Sequence, residues 1–269
     1  MQHTPHKTKN SKNIRKKRMF NRILTVLLLL FLLIFVFSST MAVKEWLQGK
    51  REQETFEKLS STIIDEENKT TDVLPGQDEE YTAYTDLYEK NNDFAAWITI
   101  PNTNIDYPVM LTPNEPEYYL YRSFDKTESS SGTPFIGEGG DINSDVFIIY
   151  GHNMKNDTMF GTLDFYAKEE FFHKTPVFTL NTVNEKRKYK VFAAVETRVL
   201  YQNEEGFRYY EQPGELSEKE FVDLAGWLSE NSLYDTGITP IYGEQILILS
   251  TCSYNTQNGR FIVAARLAE

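Results

Sequence analysis

From its N-terminus the chain opens polar and basic and turns uncharged and mostly apolar from Ile23 to Val43. It then alternates short apolar runs with polar turns. The stretch 23–43 holds no charge and is dominated by Leu, Phe, Ile and Val. About 20 apolar residues let a helix cross the hydrocarbon core, so a transmembrane helix is expected there. A cleaved signal peptide is the competing reading, because Ser38, Ser39 and Ala42 are small. The uncleaved anchor fits better: the stretch exceeds an h-region of about 7–15 residues, and no clean A-x-A site follows.

Beyond the anchor, Lys44–Ile64 is charged and reads as a helical stalk, with Trp46, Phe56, Leu59 and Ile63 scattered along it. Residues 65–80 are acidic and polar and contain Pro75-Gly76, the composition of a linker. The expected divisions are therefore a basic tail over 1–22, an anchor over 23–43, a stalk and linker over 44–80, and one domain over 81–269. That domain, of about 190 residues, is long enough to bury a sizeable core.

Within the domain a short helix is expected over Leu87–Asn92, then a strand at Trp97–Ile100. Val146–Tyr150 is a continuous apolar run, which suits a strand buried on both faces. Lys188–Val195, Gln245–Ser250 and Arg260–Leu267 are further strand candidates, while Pro101, Pro108, Pro113 and Pro116 mark loops. One helix is well signalled. Ser217-Glu-Lys-Glu220 matches a capping box, with Leu216 and Phe221 placed for a hydrophobic staple. Phe221, Leu224, Ala225 and Leu228 then recur at helical spacing, and Asn231 suits the stop. Many strands and few helices predict a mainly β domain, a closed or nearly closed barrel with helical insertions.

Charge adds topology. Residues 1–22 carry eight Lys or Arg and no acid, so this flank is expected in the cytoplasm and the remainder outside. The net charge is −11, and setting those eight positives aside leaves −19 for the rest. An exported domain this acidic makes a poor nucleic-acid binder, so no nucleic-acid partner is expected.

Candidate chemistry centres on one residue. Cys252 is the chain's single cysteine and ends the apolar run Gln245–Cys252, so no intramolecular disulfide can form. It is either an inert buried thiol or a reactive one. Of four histidines, His3 and His6 precede the anchor, and His173, before Pro176, reads as a surface residue. His152 follows the apolar run Val146–Tyr150 as Cys252 follows its own. Two rigid strands ending in Cys and His suit a nucleophile–base pair. Arg260 opens the next strand; if the two strands are neighbours it returns close to Cys252. A guanidinium stays protonated, so it serves as an oxyanion donor rather than a base. Each residue has a bland alternative: a small buried hydrophobe, a structural histidine, a solvated edge arginine. One cysteine and two distant histidines give no usual zinc spacing, and Gly137-Glu-Gly-Gly140 lacks the Lys-Ser/Thr of a phosphate loop. No cofactor is expected.

Leu249-Ser-Thr-Cys252, Arg260 and Tyr150-Gly-His-Asn-Met154 together resemble the signature of sortases, the membrane-anchored cysteine transpeptidases of Gram-positive bacteria. Asn92–Ile98 leading to Ile105-Asp-Tyr-Pro-Val109, Met159-Phe-Gly-Thr-Leu163, and the helix running into Ser232–Gly237 resemble class B in particular. The resemblance covers about residues 81–269. It implies a closed sortase barrel of about eight strands with peripheral helices. It makes Cys252 the nucleophile, His152 the general acid/base and Arg260 the oxyanion donor. Ser250 falls where class B enzymes touch substrate, and Thr251 is grouped with it as a substrate contact. The implied partners are secreted proteins bearing a C-terminal sorting signal and an amine of the peptidoglycan precursor. In one departure, Ser253 follows Cys252 where several class B enzymes carry an acid. Two other readings use the same residues differently: a hydrolytic cysteine endopeptidase, and a non-catalytic membrane-tethered scaffold.

Overall fold

The computed structural model describes residues 8–70, 82–253 and 255–268. Most of the expected linker, residues 71–80, lies outside them. The chain forms two compact units, one ending at Lys50 and one beginning at Arg51.

Helix α1 runs from Thr8 to Thr70, so the segments expected as anchor and stalk fall on one helix. Its apolar segment has a mean hydropathy of 2.8 with none of it buried. By length and composition it can cross a membrane. From Arg51 onward the same helix belongs with the barrel unit. Phe56 and Ile63 are buried there. The Phe56 ring stands edge-on to Tyr107 at 5.2 Å. Ser60 Oγ donates to Asp106 Oδ2 at 2.6 Å. Asp106 Oδ1 in turn accepts from Trp97 Nε1 at 2.7 Å and Thr99 Oγ1 at 2.9 Å. Burying one phenylalanine contributes about 2 kcal/mol, so this half of the stalk is anchored on the domain.

The domain is a closed barrel of eight strands among the described residues. They are β1 (Phe94–Thr99), β2 (Asp106–Met110), β3 (Phe135–Ile136), β4 (Val146–Tyr150), β5 (Val177–Asn181), β6 (Lys186–Arg198), β7 (Ile246–Cys252) and β8 (Gly259–Leu267). Around the ring the order is β1-β2-β3-β4-β7-β8-β6-β5, and β5 closes it onto β1. Helix α2 (Thr82–Lys90) precedes β1, α3 (Glu169–Lys174) precedes β5, and α4 (Glu218–Glu230) lies between β6 and β7.

Strand β4 and the first four residues of β7 are continuously apolar because both their faces are covered. Phe147, Ile149, Leu247 and Leu249 point into the barrel core. Val146, Ile148, Ile246 and Ile248 point the other way, into a second cluster with Phe221, Leu224, Ala225 and Leu228 of α4. The capping box of α4 is present in full, and Asn231 is its C-cap. The helical stripe of α4 is thus the lid of an outer core.

Several boundaries differ from expectation. Pro108 lies inside β2 opposite Trp97, not in a loop. Proline cannot donate to a ladder, yet a strand tolerates it where its nitrogen faces no acceptor. Helix α2 begins earlier than expected and ends at Lys90. Asn91 leaves the helix because its side-chain amide donates to Tyr119 Oη at 2.7 Å and to the Phe124 carbonyl at 2.6 Å. Strands β2, β3 and β5 carried no strand expectation; β3 is two residues long.

Candidate active site

The site is built at the C-terminal ends of β4 and β7, which run parallel with Tyr150 paired to Ser250. Both chains continue two residues, to His152 and Cys252. Side chains stitch these exits together. Thr251 Oγ1 donates to the Gly151 carbonyl at 2.7 Å, and Asn153 Nδ2 donates to the Cys252 carbonyl at 2.9 Å. Across the antiparallel β7–β8 pair, Cys252 stands directly opposite Arg260. The turn between them returns the chain so that eight residues of separation become one rung.

Gly151 is required here by packing rather than by backbone conformation. A Cβ on it would lie 2.6 Å from the Phe160 ring. Phe160 in turn donates its N–H to the His152 carbonyl at 2.9 Å.

His152 is half-buried. Its Nε2 lies 2.8 Å from the Leu120 carbonyl. A carbonyl oxygen only accepts, so Nε2 carries a proton and donates it. In the neutral ring Nδ1 is then the nitrogen able to take up a proton. Tyr121 flanks the imidazole with ring centres 5.4 Å apart. Cys252 is a free, exposed thiol. Arg260 Nη1 donates to the carbonyl of Gly259 at 3.0 Å, which steadies the guanidinium against its own strand.

Cys252, His152, Arg260, Ser250 and Thr251 all line one cleft of about 640 Å³. The structure therefore brings together all five candidate site residues. Ser250 and Thr251 are buried in the cleft floor. The Thr251 hydroxyl is committed to Gly151, and Ser250 Oγ shares a hydrogen with Tyr209 Oη at 3.1 Å. Burial pushes the Tyr209 phenol up to about 12, although the Ser250 bond and the Arg260 charge pull it back. Tyr209 is thus a neutral phenol behind the site.

Sequence reasoning missed several lining residues: Leu120, Tyr209, Tyr210 and the acids Glu115, Glu117 and Glu138. Leu120 acts through its backbone carbonyl, which leaves no mark on residue type. Tyr209 sits in a short 3₁₀ turn without periodicity. Asn153 did have a signal, since it adjoins His152. His173 is exposed and pairs with Glu169 at 3.5 Å, away from this cleft.

Chemically, a thiol, an imidazole and a guanidinium facing one cleft are the parts of an acyl-transfer centre: nucleophile, proton carrier and carbonyl donor. Comparison with known proteins places this architecture in a family. Residues 98–268 match the Sortase domain family. Sortase B of Listeria monocytogenes is 27% identical over 248 residues, spanning 90% of this chain and 95% of that protein. A Bacillus anthracis protein described as similar to sortase B is 31% identical, with TM-score 0.60 over 72% of this chain and 86% of that one. The fold also superposes on a Staphylococcus aureus sortase B–substrate complex with TM-score 0.71, covering 83% of this chain and 99% of that one at 21% identity. The chain belongs to the sortase family, class B. Sortases are cysteine transpeptidases, and the apolar segment of α1 is compatible with membrane anchoring.

Proposed function

We propose that this protein cleaves a C-terminal sorting signal on secreted proteins and transfers them to an amine of the cell wall peptidoglycan. In this reading residues 23–43 anchor it in the membrane, the basic tail stays in the cytoplasm, and the barrel is exported. The Cys252 thiolate attacks the carbonyl carbon of a threonine, or a similar residue, in the signal. Negative charge builds on that carbonyl oxygen, where Arg260 donates hydrogen bonds. The carbon–nitrogen bond then breaks, His152 gives the departing amine a proton, and a thioester remains on Cys252. The acceptor amine attacks the thioester while His152 takes its proton. A new amide forms, and Cys252 departs as the thiolate beside a His152 that again carries the proton. Nδ1 is the nitrogen that moves these protons, because Nε2 is held by the Leu120 carbonyl. Ser250 and Thr251 form the floor beneath the substrate. The anchor confines enzyme, substrate and a lipid-linked acceptor to one surface, which raises their effective concentration.

The observation that carries this reading is the register. Cys252 faces Arg260 across one rung while His152 leaves the adjoining parallel strand. The test uses the full chain in detergent micelles with a library of sorting-signal peptides, with and without an amine, and mass spectrometry of the products. The expected result is a thioester adduct on Cys252 and an amine-ligated peptide. Free acid alone in abundant amine would instead assign a thiol peptidase. No adduct with any peptide would overturn the proposal.

A further inference from the structure

Two class B-like segments have no role in the chemistry above, Ile105–Val109 and Met159–Leu163. They meet in the structure. Tyr107 lies on β2 and is 1% exposed; Met159 is 2% exposed. The Met159 N–H donates to Tyr107 Oη at 3.2 Å. Met159 belongs to the loop that leaves His152 and returns beneath it. That loop pairs Asn153 with Met159 in an isolated bridge, and Phe160 N–H donates to the His152 carbonyl.

The loop is strained at Met159, whose φ of 52° is left-handed, while Asp157 beside it, φ 62°, is of a type that tolerates that region. A long side chain rarely adopts that conformation, and it persists only where neighbours impose it. Both residues are pinned by the same β1–β2 hairpin. Asn104 Nδ2 donates to the Asp157 carbonyl at 3.1 Å, two residues from the Met159–Tyr107 bond. The hairpin is itself backed by α1, through Phe56 against Tyr107 and Ser60 on Asp106. Removing the Tyr107 oxygen would leave a buried N–H without its acceptor, and the left-handed turn would lose what imposes it.

We infer that Tyr107 is a positioning residue for His152: through Met159 it holds the strained loop that sets the imidazole against Cys252. The inference rests on the proposed role of His152 as proton carrier, and its test separates the two. Tyr107→Phe keeps the ring and removes only the hydroxyl. Tyr189→Phe is the matched control. It deletes another buried tyrosine hydroxyl bond, to Gln245 Oε1 at 2.6 Å, beside the start of β7 and so away from its Cys252 end. Each variant is made in the full chain, in micelles, with labelled histidine. The His152 ring resonance is assigned by its loss in His152→Gln.

In Tyr107→Phe the His152 resonance moves, and kcat with the best sorting peptide falls about tenfold while KM stays within about twofold. Tyr189→Phe changes none of these. If Tyr107→Phe fails to fold, Asn104→Ala reads the same clasp from its exposed side, with a smaller loss of about threefold in kcat. Wild-type resonance and kcat in the folded hairpin variants would overturn the inference. So would equal changes in Tyr189→Phe, which would mean general loosening. If the wild type turns over no peptide, the function proposal fails while the His152 resonance still decides this one.

Discussion

Two clefts of similar size open on this domain, and each has an arginine. One of about 640 Å³ contains Cys252, His152 and Arg260; the other, about 700 Å³, is lined by Phe94, Leu111, Asn143 and Arg187. The arginines differ in what they do with their donors. Arg187 spends its guanidinium internally, on Glu185 Oε2 at 2.7 Å, Asn143 Oδ1 at 2.9 Å and the Ile142 carbonyl. Burial is the largest influence and opposes its charge, but Glu185 and Tyr189 together outweigh it and hold Arg187 above its ordinary value. The Arg260 guanidinium makes one hydrogen bond among the described residues, to its own neighbour's carbonyl. Cavity size therefore says little about chemistry. An arginine whose donors are satisfied fastens loops, whereas one with donors to spare can receive a developing charge.

The sharpest way to test that contrast is to remove Cys252, the proposed nucleophile, which only the first cleft has. Cys252→Ala should lower turnover by about 10⁴-fold or more and abolish the thioester adduct in mass spectra. Retained cleavage would dissolve the distinction altogether. Next comes the arginine pair. Arg260→Lys should lose about 10²–10³-fold in kcat, because lysine lacks the planar fork. Arg187→Lys should keep kcat within about twofold yet lose about 2 kcal/mol in denaturant unfolding. Reversed outcomes would exchange the roles of the two clefts.

A third prediction concerns what the two regions share. Each arginine has a buried tyrosine beside it, Tyr209 near Arg260 and Tyr189 near Arg187, and burial pushes both phenols up to about 12. Their ordinary value is 10.0, so the folded state holds these protons more tightly than the unfolded chain. Their contribution to stability is complete below pH of about 10 and falls as pH rises through about 12. Urea midpoints should drop over that window, with tyrosinate absorbance appearing only as the protein unfolds. Gradual tyrosinate formation in the folded protein would show that the two ends are not equally closed. The smallest effect belongs to the outer layer. Ser217→Ala removes the cap of α4 and should cost about 1 kcal/mol in thermal unfolding without altering kcat.

How much of this was readable in advance depends on which physical rule dominated locally. β4, β7 and β8 announced themselves because two cores demand apolar residues on both faces, so the runs are continuous. The Cys252–Arg260 rung followed from a turn of ordinary length. Pro108 misled because proline usually breaks strands, and here the barrel overrides it. Arg187 sits in Lys186-Arg187-Lys188, which reads as a solvated stretch; alternation along β6 turns only Arg187 inward while both lysines face water. The Leu120 carbonyl and the Tyr107–Met159 bond were invisible, since each depends on a backbone atom brought from a distant segment.

Cys252 is the chain's one thiol and it is exposed. The unmodified protein therefore carries its own stoichiometric counter. One equivalent of a maleimide fluorophore consumes every accessible copy of the proposed nucleophile and nothing else, so the labelled fraction measures how many molecules in a preparation are competent. No cysteine needs to be engineered away first. The same economy has a cost under the proposed chemistry: one oxidised sulfur, with no second cysteine in the chain to resolve it, would silence the whole molecule.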